Sequence, residues 1–148
     1  MVAQLHFEVG SSFLNQDEFN KAVDSFIKSV SYKKTAEGYF NLAQSYEGIE
    51  DFESAKKSYG KAIILDDTFE MAYFNLGVVQ FNSGDLNAAI VSFRKVIESD
   101  SADKEALMYL ANLYLLRQDF GSAEKYVNRL LEIDPRNVEA RELLNKLP

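Results

Sequence analysis

The stretch that decides the fold is Tyr73-Phe74-Asn75-Leu76-Gly77-Val78-Val79-Gln80-Phe81-Asn82-Ser83-Gly84-Asp85-Leu86-Asn87-Ala88-Ala89-Ile90-Val91-Ser92-Phe93. Tyr73, Leu76, Gly77 and Gln80 fall at i, i+3, i+4 and i+7, which is one face of a helix, and Leu86, Ala89, Ile90, Phe93 and Ile97 make a second such face. Between them Asn82-Ser83-Gly84-Asp85 reads as a turn, with Asp85 placed to cap the next helix or to oppose its positive N-terminal dipole. Gly77 opposite Ala89 lets two helix backbones approach while Tyr73 and Phe93 fill the flanking volume. One helical pair cannot bury such a face, so copies must stack.

The copies are in the chain. Ala22, Ala55, Ala89 and Ala123 recur at intervals of 33, 34 and 34 residues, and Gly10, Ala43, Gly77 and Ala111 keep the same register. Phe26, Tyr59, Phe93 and Val127 form a third column, and the pairs Glu18-Phe19, Asp51-Phe52, Asp85-Leu86 and Asp119-Phe120 a fourth. These columns predict an all-α chain with repeats at 3–35, 36–69, 70–103 and 104–137, each of two helices. Val138 to Leu147 begins a further helix, in which Ala140 and Leu144 match the first helix of a unit.

Composition narrows the function. The 148 residues carry 16 Lys and Arg against 23 Asp and Glu, a net charge of -7, with no local basic patch visible, which argues against nucleic acid and anionic membranes. The absence of Cys removes disulfides, thiol nucleophiles and Cys-ligated metals, and with His6 as the one histidine, neither a metal site nor a crowded active site is expected. The longest apolar run, Ala106 to Leu116, falls short of the roughly 20 residues of a membrane helix, and the N-terminus lacks a secretory pattern. A cytoplasmic location is therefore the expectation. Glu50, Asp51 and Glu53, and Asp66 and Asp67, lie at predicted turns and helix starts, where solvated caps explain them better than acid–base pairs. No cofactor and no catalysis are expected.

In these columns the chain resembles the tetratricopeptide repeat family, whose unit has 34 residues. The third repeat carries Tyr73-x-x-Leu76-Gly77, Gly84-Asp85-Leu86-x-x-Ala89-Ile90 and Phe93; the second carries Tyr39-x-x-Leu42-Ala43-x-x-Tyr46, Asp51-Phe52-x-x-Ala55 and Tyr59. The fourth carries Leu107-x-x-Leu110-Ala111-x-x-Tyr114, Asp119-Phe120-x-x-Ala123 and Asp134-Pro135. The terminal Pro survives only as Pro135, and the first repeat is one residue short. The resemblance implies a right-handed α-solenoid superhelix of four units, with 138–148 as a C-terminal capping helix. At the front, three readings stay open: a first helix polar enough to face water, a longer parent array, or end-to-end association of copies.

The resemblance also implies a binding surface, because first helices in this family line a concave groove. Carried over, the groove takes Phe7, Glu8, Ser11 and Leu14, then Glu37, Phe40, Asn41, Gln44 and Glu47, then Met71, Phe74, Asn75, Val78, Phe81 and Asn82. The fourth repeat adds Glu105, Met108, Tyr109, Asn112, Leu115 and Leu116. Phe40, Phe74 and Met108 form an apolar row, reinforced by Val78, Phe81 and Leu115, that either completes the core or meets a ligand. Asn41 and Asn75 repeat at one position, with Asn112 nearby, and an Asn amide can grip a peptide group through donor and acceptor together. A subfamily clamps the C-terminal carboxylate of heat-shock chaperones with Lys and Arg beside such Asn residues; here only Asn41 or Asn75 fits, and that clamp is disfavoured. Glu37, Glu47 and Glu105 on or beside the groove favour a ligand with Lys or Arg flanking apolar anchors. The function implied is a non-enzymatic protein–protein interaction module whose apolar, mildly acidic groove holds a peptide or protein segment. Self-assembly into a homo-oligomeric scaffold, or service as the targeting domain of a larger enzyme, are the alternatives.

Overall fold

The computed structural model describes residues 1–148. Nine helices follow one another: α1 (Val2–Leu14), α2 (Phe19–Tyr32), α3 (Ala36–Gly48), α4 (Phe52–Leu65), α5 (Glu70–Asn82), α6 (Leu86–Ser99), α7 (Lys104–Leu116), α8 (Phe120–Ile133) and α9 (Val138–Lys146). The chain divides into two compact units, Met1–Val79 and Gln80–Pro148, with the division inside α5.

One local device starts every second helix. Asp17, Glu50, Gly84 and Gln118, again 33, 34 and 34 residues apart, all sit in the left-handed region with φ of 57°, 61°, 78° and 59°. Only Gly84 adopts it without steric cost; a side chain there crowds the carbonyl oxygen. The acidic column follows at once. Asp51 accepts from the Ser54 N–H at 3.1 Å and Asp119 from the Ser122 N–H at 3.1 Å, supplying orphan donors of the first turn. Thr35, Asp103 and Asn137 do the same for α3, α7 and α9, accepting from Gly38, Ala106 and Ala140. Where second helices end, Asp66 and Asp100 fold back on the N–H groups of Thr68 and Ala102, closing a turn that stops the helix.

In the first unit α1 packs on α2, α2 on α3 and α3 on α4. The small columns are the reason: Ala22, Ala43 and Ala55 are fully buried beside Phe26 and Tyr59, also fully buried. At Gly10 a Cβ would come within 2.9 Å of Phe26 Cε1, so a side chain here would require the Phe26 ring to shift. The first helix is not a polar front. Val2, Leu5 and Val9 stand exposed on α1, whereas Gly38 and Leu42, which occupy the Leu5 and Val9 positions in α3, are buried under α2. His6 is half-buried and stacks on Tyr32.

The second unit repeats the scheme with a larger aliphatic share. Phe93, Leu107, Leu110, Leu113, Val127 and Leu130 have no exposed surface, and each such burial is worth about 1.5–3 kcal/mol. Helix α9 packs on α8 and buries Ala140 and Leu143. No helix is long and apolar enough to cross a membrane.

Candidate functional site

Three positions recur in both units with different chemistry. In the first unit Glu47, Tyr59 and Asn75 form a polar chain: the Tyr59 hydroxyl donates to Glu47 Oε1, and Asn75 Nδ2 donates to the Tyr59 hydroxyl at 3.3 Å. Burial raises the pKa of Glu47 against the lowering effect of the Tyr59 hydrogen bond. Burial raises that of Tyr59 too, assisted by the hydrogen bond to Glu47. A fully buried phenol needs such partners, since an unpaired hydroxyl in the core costs about 1–3 kcal/mol.

Each of these residues has a counterpart 34 positions later: Phe81, Phe93 and Tyr109. Here the chain is aromatic. Tyr109 stacks on Phe93 with centroids 4.5 Å apart and planes 7° from parallel, and Phe81 meets Tyr109 edge-on at 5.4 Å. Phe93 is fully buried, so Tyr109 and Phe81 are fixed from below while both remain half-buried.

These rings form one wall of a cleft of about 490 Å³ in the second unit, together with Met108, Asn112, Lys104 and Glu105 of α7 and Asn137 and Glu139 at the start of α9. Asn112 is held by its own helix, Nδ2 donating to the Met108 carbonyl at 3.1 Å. Lys104 reaches Asp134 at 3.2 Å, which neutralises the cleft's one cation. Glu105 and Glu139 have no ion-pair partner, so the cleft carries net negative charge beside an apolar floor.

The cleft brings together Phe81, Met108, Tyr109 and Asn112 from the residues read in the sequence, and adds Asn137 and Glu139. The α9 pair was missed because that helix reads as a cap, although its N-cap Asn and first-turn Glu were visible. Leu115, Phe74, Val78, Asn41 and Gln44 are half-buried. Phe40 departs from the ligand-facing expectation: it is 5% exposed and its ring packs on Tyr59 and Phe69, inside the core. Asn75 and Glu47 also differ, because the buried Tyr59 hydroxyl takes up the amide nitrogen of one and a carboxylate oxygen of the other.

Comparison with known proteins agrees with this architecture. Two models described as tetratricopeptide repeat match residues 80–147 and 36–68. The chain belongs to the tetratricopeptide repeat family. Its fold class is the all-α helical-repeat solenoid of that family. A relative, the CTR9 homolog of Arabidopsis thaliana, is 34% identical over 106 residues, covering 69% of this chain and 10% of that protein. The chain spans between 8% and 26% of the length of this and two further curated relatives. Among solved structures, a MamA protein superposes with a TM-score of 0.90 at 21% identity, covering 97% of this chain and 79% of that one. YrrB, described as a tetratricopeptide repeat protein with an unusual peptide-binding site, gives 0.83 at 20% identity, covering 95% and 73%.

Proposed function

We propose that this chain is a non-enzymatic protein–protein interaction module of four repeats closed by α9, acting in the cytoplasm and holding a peptide or protein segment in the cleft of the second unit. One observation carries this reading: an aromatic wall already fixed by a buried ring stands beside two carboxylates without ion-pair partners. A preordered apolar surface loses little side-chain entropy when a ligand arrives. The ligand that fits has an apolar side chain for Phe81, Met108 and Tyr109, and a neighbouring Lys or Arg for Glu105 and Glu139. Asn112 would take a peptide group of that ligand through its carbonyl oxygen. The peptide-binding description of YrrB is in keeping with such a role.

Selection from a displayed peptide library tests it. Apolar–basic sequences should emerge, and Phe81→Ser should abolish their capture while helical circular dichroism is retained. Selected peptides that bind Phe81→Ser as well as the parent would refute the cleft.

A second reading, self-assembly, is favoured by the exposed Val2, Leu5 and Val9 stripe on α1, where the equivalent positions of later helices are covered. Light scattering across a wide concentration range separates the two. A constant mass near 16.8 kDa speaks against association; mass rising with concentration, and reversed by Leu5→Glu, speaks for it.

A further inference from the structure

The acidic balance of the chain conceals a cationic groove in the first unit. Lys34, just beyond α2, and Lys57 and Lys61, one turn apart on α4, line an open depression of about 370 Å³ whose floor includes Tyr39, Leu42 and Tyr46 of α3. No basic patch shows in the sequence because Lys34 lies far along the chain from Lys57 and Lys61 and only packing brings it to them. All three are exposed, and none forms an ion pair, unlike Lys21, Lys56 and Lys95 on the same kind of helix surface. Lys61 is also placed: its Nζ lies 5.3 Å from the centroid of the Tyr39 ring, which holds the charge over the groove. Asp24 and Asp51 act on Tyr46 at one end, and Asp51 also acts on Lys57.

From this arrangement we infer a second docking site, independent of the acidic cleft, that takes an acidic peptide segment carrying an apolar residue between its carboxylates. Charge complementarity names the occupant. Lys34 beyond α2 and Lys57 and Lys61 on α4 come from two elements, and no glycine lines the groove to form a backbone cradle between them. Lysine side chains act instead as separate point charges, suited to carboxylates spaced along an extended segment. Exposed Ile27 and half-buried Tyr46 offer apolar surface beside those charges, over a base of buried Tyr39 and Leu42. In a protein of net charge -7, a local cationic groove also excludes basic competitors and orients an acidic segment on approach.

The test is a titration of ¹⁵N-labelled protein with a short peptide alternating Glu and Leu, followed by NMR to millimolar peptide. The same peptide with Lys for Glu, and inorganic phosphate, serve as controls. The expected result is a set of shifts at Ser31, Lys34, Lys57 and Lys61 with the Glu peptide alone, weakening as salt is raised. Lys57→Glu combined with Lys61→Glu should weaken binding roughly tenfold, and Lys34→Glu alone, on the opposite wall, about threefold, with the melting temperature kept. Equal shifts with the Lys peptide, shifts that survive both sets of substitutions, or no shifts at all would overturn the site. Phosphate reproducing the shifts at equal affinity would show a simple anion site and overturn the peptide assignment. None of these outcomes touches the cleft around Phe81, which is read separately through Phe81→Ser.

Discussion

The polar chain Glu47–Tyr59–Asn75 and the aromatic chain Phe81–Phe93–Tyr109 occupy the same three positions of the repeat and do opposite things. One hydroxyl makes the difference. Tyr59, fully buried, needs a donor and an acceptor, so it binds the half-buried side chains of Asn75 and Glu47, using the amide nitrogen of one and a carboxylate oxygen of the other. Phe93 asks for nothing polar, so its neighbours are free to be rings, and those rings line a cleft. Register in a repeat protein therefore fixes where a side chain stands, while the buried partner decides whether it serves the core or a ligand.

The largest test of this comparison removes the buried ring. Tyr59→Ala and Phe93→Ala should each cost about 3–5 kcal/mol in chemical denaturation, because both rings are fully enclosed. A marked difference between the two would mean that one chain is not integral to its unit's core.

A finer test exchanges only the hydroxyl. Tyr59→Phe should cost about 1–3 kcal/mol, since Glu47 and Asn75 lose their shared partner. Phe93→Tyr should cost about 1–2 kcal/mol by burying a hydroxyl among rings, and adding Phe81→Glu with Tyr109→Asn should recover part of it. If the three substitutions simply add, the positions are not coupled as described.

Ionisation sharpens the comparison further, since only the polar chain holds a carboxylate. Burial raises the folded-state pKa of Glu47, so its contribution is most favourable below the unfolded carboxylate pKa and is lost as pH rises through the raised folded value. Glu47→Gln should therefore melt with the parent in acid and above it near neutrality. Asp51 works in the opposite sense. Hydrogen bonds from Ser54 lower its pKa, so its contribution is present above the unfolded value and fades as pH falls through the lowered one. Thermal melts of Glu47→Gln and Asp51→Asn across the acidic range should diverge from the parent in opposite directions.

The smallest effect concerns the turn both units share. Glu50→Gly and Gln118→Gly should each stabilise by about 0.5–1 kcal/mol, because both residues hold a left-handed φ that Gly84 adopts freely at the matching position. Equal melting temperatures for variant and parent would show the strain to be relieved elsewhere.

Much of this was legible in the sequence. The Ala columns and the large-residue column at Phe26, Tyr59 and Phe93 give the helix pairs and their crossings, because close packing ties residue size to position. The left-handed turn column was hidden, since Asp17, Glu50 and Gln118 lack the glycine that marked Gly84. The site was read less completely. Phe81, Met108, Tyr109 and Asn112 emerged from the family's groove positions, but Phe40, Asn75 and Glu47 share those positions and contact Tyr59. What separates Asn75 and Glu47 from Tyr109 and Phe81 is the residue beneath, Tyr59 or Phe93, which a one-dimensional column does not connect to the helix it supports. The lysine groove was missed for a related reason: Lys34 is brought to Lys57 and Lys61 only by packing.

The most direct measurement is a calorimetric titration of a library-selected apolar–basic peptide into the parent and into the triple variant Phe81→Glu, Phe93→Tyr, Tyr109→Asn. The variant should stay folded, with its helical signal and cooperative melt retained, and should no longer bind, because its cleft has become a second copy of the polar chain. Unchanged affinity in a folded triple variant would contradict that expectation.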